Sequence, residues 1–378
     1  MTTSAASGAD HQRLSGAPTA IILQPTSLCP LNCTYCYLPQ RHLSQRMTPT
    51  IAAAIAANIP DDWSAQAPVE IVWHGGEPLA IGRERLIELL APFEQLRTHG
   101  RVRHVVQTSA TLIDDAWCAV LTDYDFAVGV SLDGPEHANR HRVDRRGRPV
   151  FDRTLAGIET LRRHGLDVTI LAVVSADNAA ASETLDFLAG TGCTRIGFNI
   201  EAAEAANRDA HTPPLDQARR FWRDALEWGE THPQVEIREL ERLLRFLALD
   251  KQHRDADTRH DPLPTIGFNG DVVLLSPELL GVHEPRYSDF VAGNVTTEPL
   301  PQILRRAAEA GYVREFLDGV ARCKASCEFF AWCQGAHAGN RYFEHGTFTA
   351  TETNHCQTTY QAPVLALHDH TIGKDISA

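Results

Sequence analysis

The sequence predicts an α/β chain: a partial (β/α)6 barrel followed by a small, turn-rich C-terminal domain. Three observations carry this. Short β-rich runs alternate with amphipathic helical stretches six times from residue 18 onward, the pattern of repeated βαβ units on a parallel sheet. A polar, proline-containing stretch, "QHRDADTRHDPLP" (252–264), interrupts that pattern and reads as a linker. Four of the nine cysteines then fall within residues 323–356. The expected division is an arm over 1–17, a barrel over 18–213, bridging helices and linker over 214–264, and a C-terminal domain over 265–378.

Taken in order, the arm "MTTSAASGADHQRLSGAPTA" is small and polar, without the apolar core of a secretory signal. It is expected to be disordered and too short for an N-terminal leader-binding domain. The strands are "TAIILQPT" (19–26), "VEIVWHGG" (69–76), "RHVVQTSA" (103–110), "AVGVSLDG" (127–134), "DVTILAVVSA" (167–176) and "TRIGFNIE" (194–201). Between them lie helical stretches such as "TPTIAAAIAANI" (48–59), "ERLIELLAPFEQL" (84–96) and "FDRTLAGIETLRRHG" (151–165). Residues 214–251 read as two helices leaving the barrel. Functional loops of such a sheet sit at the carboxyl ends of its strands.

The formal charge is −13, which disfavours a nucleic-acid partner. No apolar run approaches a membrane span. A cytoplasmic chain keeps its thiols reduced, so nine cysteines point to metal or catalysis rather than disulfides.

The loop after the first strand, "SLCPLNCTYCYLPQR" (27–41), holds Cys29, Cys33 and Cys36 in C-x3-C-x2-C spacing and no fourth thiol. A structural zinc site or an ordinary iron–sulfur cube takes four protein ligands. Three thiolates on a four-iron cube leave one iron free for a ligand bearing an amine and a carboxylate. S-adenosylmethionine (SAM) offers both, and one electron from a low-potential cluster can break its sulfonium bond to give a 5′-deoxyadenosyl radical. Tyr35 is placed to pack on the adenine. A zinc knuckle short of a ligand is the plainer alternative.

This loop resembles the signature of the radical SAM superfamily, and further motifs agree. "WHGGEPLA" (73–80) resembles the family's SAM-binding turn: Gly75 and Gly76 allow close backbone approach, and Glu77 is expected to take the methionine ammonium. Gln107, Ser109, Ser131 and Asp133 end the third and fourth strands and are expected at the ribose or amino-acid end; ordinary turn chemistry is the alternative for Asp-Gly-Pro. Arg142 is expected to fork onto the SAM carboxylate, or else to belong to a solvated basic loop.

"CKASCEFFAWCQGAHAGNRYFEHGTFTATETNHC" (323–356) resembles the SPASM extension of peptide-modifying radical SAM enzymes. Cys323, Cys327, Cys333 and Cys356 can hold one auxiliary 4Fe–4S cluster; a zinc site is the alternative. The family's other auxiliary cluster lacks ligands here, since Leu275 and His337 stand where cysteines belong. The resemblance therefore implies two clusters in all. Cys118 and Cys193 are solitary and read as core residues.

The resemblance spans roughly residues 19 to 365; "LQPTSLCPLNCTYCYLPQR", "GFNIEAAE", "LSPELLGVHEPRYSDFVAGNV" and "GTFTATETNHC" together resemble the cyclophane-forming maturases. Those enzymes join an aromatic ring carbon to an unactivated side-chain carbon of a ribosomally made precursor peptide. It implies hydrogen abstraction by the adenosyl radical, addition to the ring, and loss of a proton and an electron, the auxiliary cluster taking the electron. Glu201, Glu204 and Glu278 are candidate bases, each otherwise an ordinary hydrogen-bonded or solvated acid. The implied partners are the precursor peptide and a flavodoxin- or ferredoxin-type electron donor. Leader recognition falls to the barrel, the bridging helices or a separate leader-binding protein. The competing branch, the sulfatase maturases, oxidises a protein side chain with an aspartate base where this chain has Ser276. A radical SAM enzyme acting on a small metabolite is a further alternative.

Overall fold

The structure, a computed structural model, describes residues 14–254 and 259–377. Six strands form its centre: β1 (Ala20–Leu23), β2 (Val69–Trp73), β3 (Val102–Thr108), β4 (Ala127–Ser131), β5 (Val168–Val174) and β6 (Arg195–Ile200). Each pairs in parallel with the next, in the order of the sequence. Burial alternates along β5, with Val168, Ile170, Ala172 and Val174 buried, because successive side chains leave opposite faces of a strand.

The connecting helices cover the sheet through apolar stripes. In Phe151–Arg163 the buried positions are Thr154, Gly157, Ile158 and Leu161, a helical period of one face. Arg162 and Arg163 occupy its last turn, where cations complement the helix dipole. The helix Asp115–Asp123 starts at Asp114, whose carboxylate accepts the Trp117 N–H at 2.7 Å.

The stretch 214–264 does not leave the sheet. Helix Leu215–Thr231 follows β6 and lies against helix Ala181–Gly190, completing the sixth strand–helix unit. A short β7 (Glu236–Ile237) then adds to β6 in parallel. Within the linker, residues 255–258 lie outside the described set, while Asp261 accepts the Thr19 N–H and hydroxyl. Of the N-terminal arm, residues 1–13 also lie outside it; Leu14 is buried and bridges to His260.

The C-terminal residues continue the same sheet. β8 (Thr265–Ile266) pairs in parallel with β1; β9 (Asp271–Val273) and β10 (Gly293–Asn294) follow antiparallel. The order is β10-β9-β8-β1-β2-β3-β4-β5-β6-β7. Helix Ala362–Ser377 packs along Leu215–Thr231, with Asp369 paired to Arg219. Cys118 and Cys193 are buried in the core, as solitary apolar thiols should be.

Candidate active site

The carboxyl ends of the strands converge on one cavity of about 650 Å³. Cys29, Cys33, Tyr35 and Cys36 reach it from the loop after β1. Gly75, Gly76 and Glu77 come from the loop after β2, Gln107 and Ser109 from the end of β3, and Ser131 from the end of β4. Arg142, Glu201, Glu204 and Glu278 complete the expected set on its wall. Asp133 is not on the wall; it lies behind it, 1% exposed.

The cysteine loop is held by its own backbone and by the basic loop 140–148. Asn32 N–H donates to Val143 O at 2.7 Å, Thr34 N–H to His141 O at 3.1 Å, and Arg145 Nε to Cys29 O at 2.9 Å. The loop is docked at Arg142 and Asp144, while residues 145–149 remain exposed. Burial pushes the Cys33 thiol up to about 11, opposed by the Arg142 guanidinium, and it pushes Cys29 up further. The thiolate, not the thiol, is the metal ligand, so iron binding there must displace these protons. Three thiols on one cavity wall, nested with Leu31 and Val150, fit a cluster with one open corner.

Several expected ligand contacts are spent within the protein. Arg142 donates from Nε and Nη2 to the two Asp133 oxygens at 2.9 and 2.8 Å, so its fork faces Asp133. Asp133 also accepts the Tyr35 hydroxyl at 2.6 Å and Val173 N–H at 2.9 Å, which leaves it no part in direct cofactor contact. Although burial opposes its charge, Asp133 and Tyr35 keep the guanidinium firmly protonated. The guanidinium stands 5.5 Å from the centre of the Tyr35 ring.

Glu77 is 2% exposed and engaged at both oxygens, accepting from Thr108 Oγ1 at 2.7 Å and from Ser109 N–H and Oγ at 2.9 and 2.5 Å. Gly76 serves the loop as much as any ligand: a Cβ there would stand 2.5 Å from Leu28 O and 2.8 Å from Ser27 O. Gly75, at φ +116°, takes a conformation few other residues adopt. Gln107 Nε2 donates to Ser131 Oγ at 2.8 Å, placing both on the cavity floor.

At the other end, the carboxylates meet residues that sequence reasoning did not assign. Glu204 Oε1 accepts Asn340 Nδ2 at 2.9 Å, and Glu278 Oε2 accepts Ser276 Oγ at 2.9 Å. Gly339 N–H donates to Ser276 Oγ at 3.0 Å, so both acids are tied to the first turn of helix Ala338–His345. Burial, and then the charge of Glu278, push the Glu204 carboxyl up to about 8. Glu201 accepts Asn207 Nδ2 at 3.3 Å. His337 Nε2 is 3.8 Å from Glu278, and Tyr37 hydroxyl is 3.2 Å from His74 Nε2. Tyr37, His74, Trp332, His337, Asn340, His355 and Tyr360 all line the cavity. A cavity drawing on such distant segments has no local pattern; an aromatic or histidine beside a cysteine (Tyr37, Trp332, His355) was the available signal.

The four C-terminal thiols line a void of their own. Cys323 accepts Arg341 Nη2 at 3.2 Å, Cys333 the Gly335 N–H at 3.5 Å, and Cys356 the Thr353 N–H at 3.4 Å and Gln361 Nε2 at 3.7 Å. Donors aimed at sulfur suit thiolates bound to iron. Leu275, at φ +71°, and Ser276 are buried where the resemblance places the missing cluster's thiol and the rival branch's aspartate.

Among the described residues no helix is long and apolar enough to cross a membrane. Residues 23–179 match the Radical SAM superfamily. An uncharacterized protein of Synechocystis sp. is 31% identical over 360 residues, covering 92% of this chain and 90% of that protein. The serine-type anaerobic sulfatase-maturating enzyme of Klebsiella aerogenes is 33% identical over 218 residues, 55% of this chain and 53% of that enzyme. The solved structure of native anSMEcpe with bound AdoMet superposes with a TM-score of 0.75 at 20% identity, over 94% of this chain and 99% of that one. Streptococcus suis SuiB bound to its precursor peptide SuiA gives 0.68 at 17% identity, over 92% and 78%. At these identities the two structures share its fold.

Proposed function

Because this chain belongs to the radical SAM superfamily, we propose that it modifies a ribosomally made precursor peptide, joining an aromatic ring carbon to an unactivated side-chain carbon. The observation that carries the reading is the single cavity. It runs from Cys29, Cys33 and Cys36 to Trp332, His355 and Tyr360 of the cysteine-bearing C-terminal segment, with Glu201, Glu204 and Glu278 on its wall. Its volume lies within the ~300–1,000 Å³ of small-ligand sites, so a peptide enters it by side chains rather than as a folded domain.

Cys29, Cys33 and Cys36 would hold the 4Fe–4S cluster that binds SAM, and Cys323, Cys327, Cys333 and Cys356 an auxiliary one. When bound, cluster and SAM supply a low-potential electron and a carbon radical able to abstract hydrogen. Gly75, Gly76, Gln107, Ser109 and Ser131 are the cavity groups on the cofactor side. Glu77, Asp133 and Arg142 act by fixing that wall, since their oxygens and fork are already engaged. Glu278 takes the ring proton, since the neighbouring Glu204 holds its own; Ser276 and His337 stand beside Glu278, and Asn340 holds Glu204. Leader recognition by the barrel surface or a separate protein, a flavodoxin- or ferredoxin-type donor and a cytoplasmic setting complete the reading. The precursor-binding SuiB and the peptide complex of anSMEcpe support a peptide substrate.

The test is anaerobic turnover of peptides encoded beside this gene. The expected product has lost two hydrogens, yields no fragment ions between the linked residues, and does not react with hydrazides. A hydrazide-reactive carbonyl would replace this reading with side-chain oxidation, which the likeness to the Klebsiella aerogenes enzyme favours. Deoxyadenosine formation stimulated by metabolites but by no peptide would remove both.

A further inference from the structure

The cavity's far wall carries information about which side chain it receives. Trp332 and His355 line the cavity, whereas the next residue of each, Cys333 and Cys356, lines the four-thiol void. Tyr360 lines both. At Tyr360 the partition is a single residue thick. Tyr360 and Cys356 share a π-helical turn, Cys356–Gln361, a form that concentrates at functional sites.

The rings are fixed in place. Trp332 Nε1 donates to Tyr360 O at 3.1 Å, so the indole offers the cavity its ring and not its donor. Its ring centre is 6.2 Å from that of Tyr360 at 58°, and 5.4 Å from Phe246 at 51°. Arg242 stands 5.9 Å from the same ring, and His355 meets Tyr360 at 6.0 Å and 66°. Tilted rings at such spacings present edges and faces to a further ring.

We propose that Trp332, His355 and Tyr360 form the seat for an aromatic side chain of the substrate, holding it beside the four thiols. This rests on the peptide-crosslinking reading and deepens it: the ring partner of the crosslink occupies the C-terminal end of the cavity, and the aliphatic partner the end near Cys29, Cys33 and Cys36.

The test needs no turnover and no identified precursor. In reduced, cluster-loaded enzyme, NMR relaxation of N-acetyl-L-tyrosinamide reads the approach of its ring protons to a paramagnetic cluster, with N-acetyl-L-leucinamide as control. The expected result is selective relaxation of the tyrosine ring over the acetyl methyl, with no selective effect on the leucine side chain. The selectivity is lost in Tyr360→Leu and restored in Tyr360→Phe, with iron content unchanged. Equal effects on the two probes with the wild type, or full selectivity in an iron-replete Tyr360→Leu, would overturn the seat. If that variant loses iron, Trp332→Leu is read the same way, and the wild-type comparison decides independently. Failure of the crosslinking reading would appear as absent peptide product with the ring-selective signal intact.

Discussion

Asp133 and Arg142, nine residues apart in sequence, are paired to each other in the fold. The turn "SLDGP" marks a strand end, and that much is legible; which oxygens remain free depends on Arg142, Tyr35 and Val173, which only the fold brings together. The Asp133 and Arg142 side chains are 1% and 9% exposed. Removing one charge from a buried pair strands the other, at a cost of about 3–5 kcal/mol. Asp133→Asn is therefore expected to lower stability by that order, measured by urea unfolding at constant m, and to loosen Tyr35 on the cysteine loop. Glu204 gives a prediction of opposite kind. Its carboxyl, raised from 4.5 to about 8 by burial and by Glu278, with Glu344 adding and Asn340 opposing, keeps its proton in the folded state where the unfolded chain loses it. Its contribution to stability is full below pH 4.5 and falls as pH rises towards 8. Glu204→Gln should flatten that fall, so the variant gains on the wild type between pH 5 and 8 when urea midpoints are compared across this range. A parallel pair of pH curves would mean that Glu204 ionises normally.

The six long strands were legible because each carries four to seven residues of β-branched or apolar sequence bounded by turn signals. The short ones were not: β7, β8 and β10 have two residues each, too few for any period to show. Their pairing is a consequence of sheet edges already formed. The π-helical turn was likewise invisible, since "CQTTYQ" has no pattern of its own. Gly76 shows an element-scale requirement that the sequence half revealed. Close approach was expected, but the backbone that approaches is Leu28 O of the cysteine loop, and Glu77 N–H donates to that same oxygen at 2.9 Å. Gly76→Ala cannot be accommodated by rotating a side chain, so the two loops must part. The expected outcome is destabilisation of about 1–3 kcal/mol, the range for overpacking, with less iron retained after anaerobic reconstitution. Full iron content with unchanged stability would show that the contact yields without consequence.

At the scale of the whole molecule, one ten-stranded sheet joins the residues that hold the first three thiols to those that hold the last four. β8 lies beside β1, and the cavity draws its walls from both halves. The sequence showed two cysteine groups and a polar stretch between them, which suggested parts; the pairing of β8 with β1 spans more than 240 positions and leaves no local trace. The C-terminal group closes the cavity rather than hanging from it, so its loss can act in two ways. If the auxiliary cluster serves only as a staple, Cys327→Ala or Cys356→Ala should loosen Trp332, His355 and Tyr360. Peptide affinity would then fall while the deoxyadenosine-to-product ratio stays at the wild-type value. If the cluster instead accepts the electron released as the ring regains aromaticity, deoxyadenosine should still form under strong reductant. Crosslinked product should then drop to near zero, and the ratio rise steeply. The second outcome is expected, because Tyr360 borders both the cavity and the four-thiol void. Circular dichroism and retention of about four irons at the first site establish that the variant is folded. Deoxyadenosine and crosslinked peptide measured in one reaction then decide between the two roles, and an unchanged ratio would leave the four thiols a purely structural task.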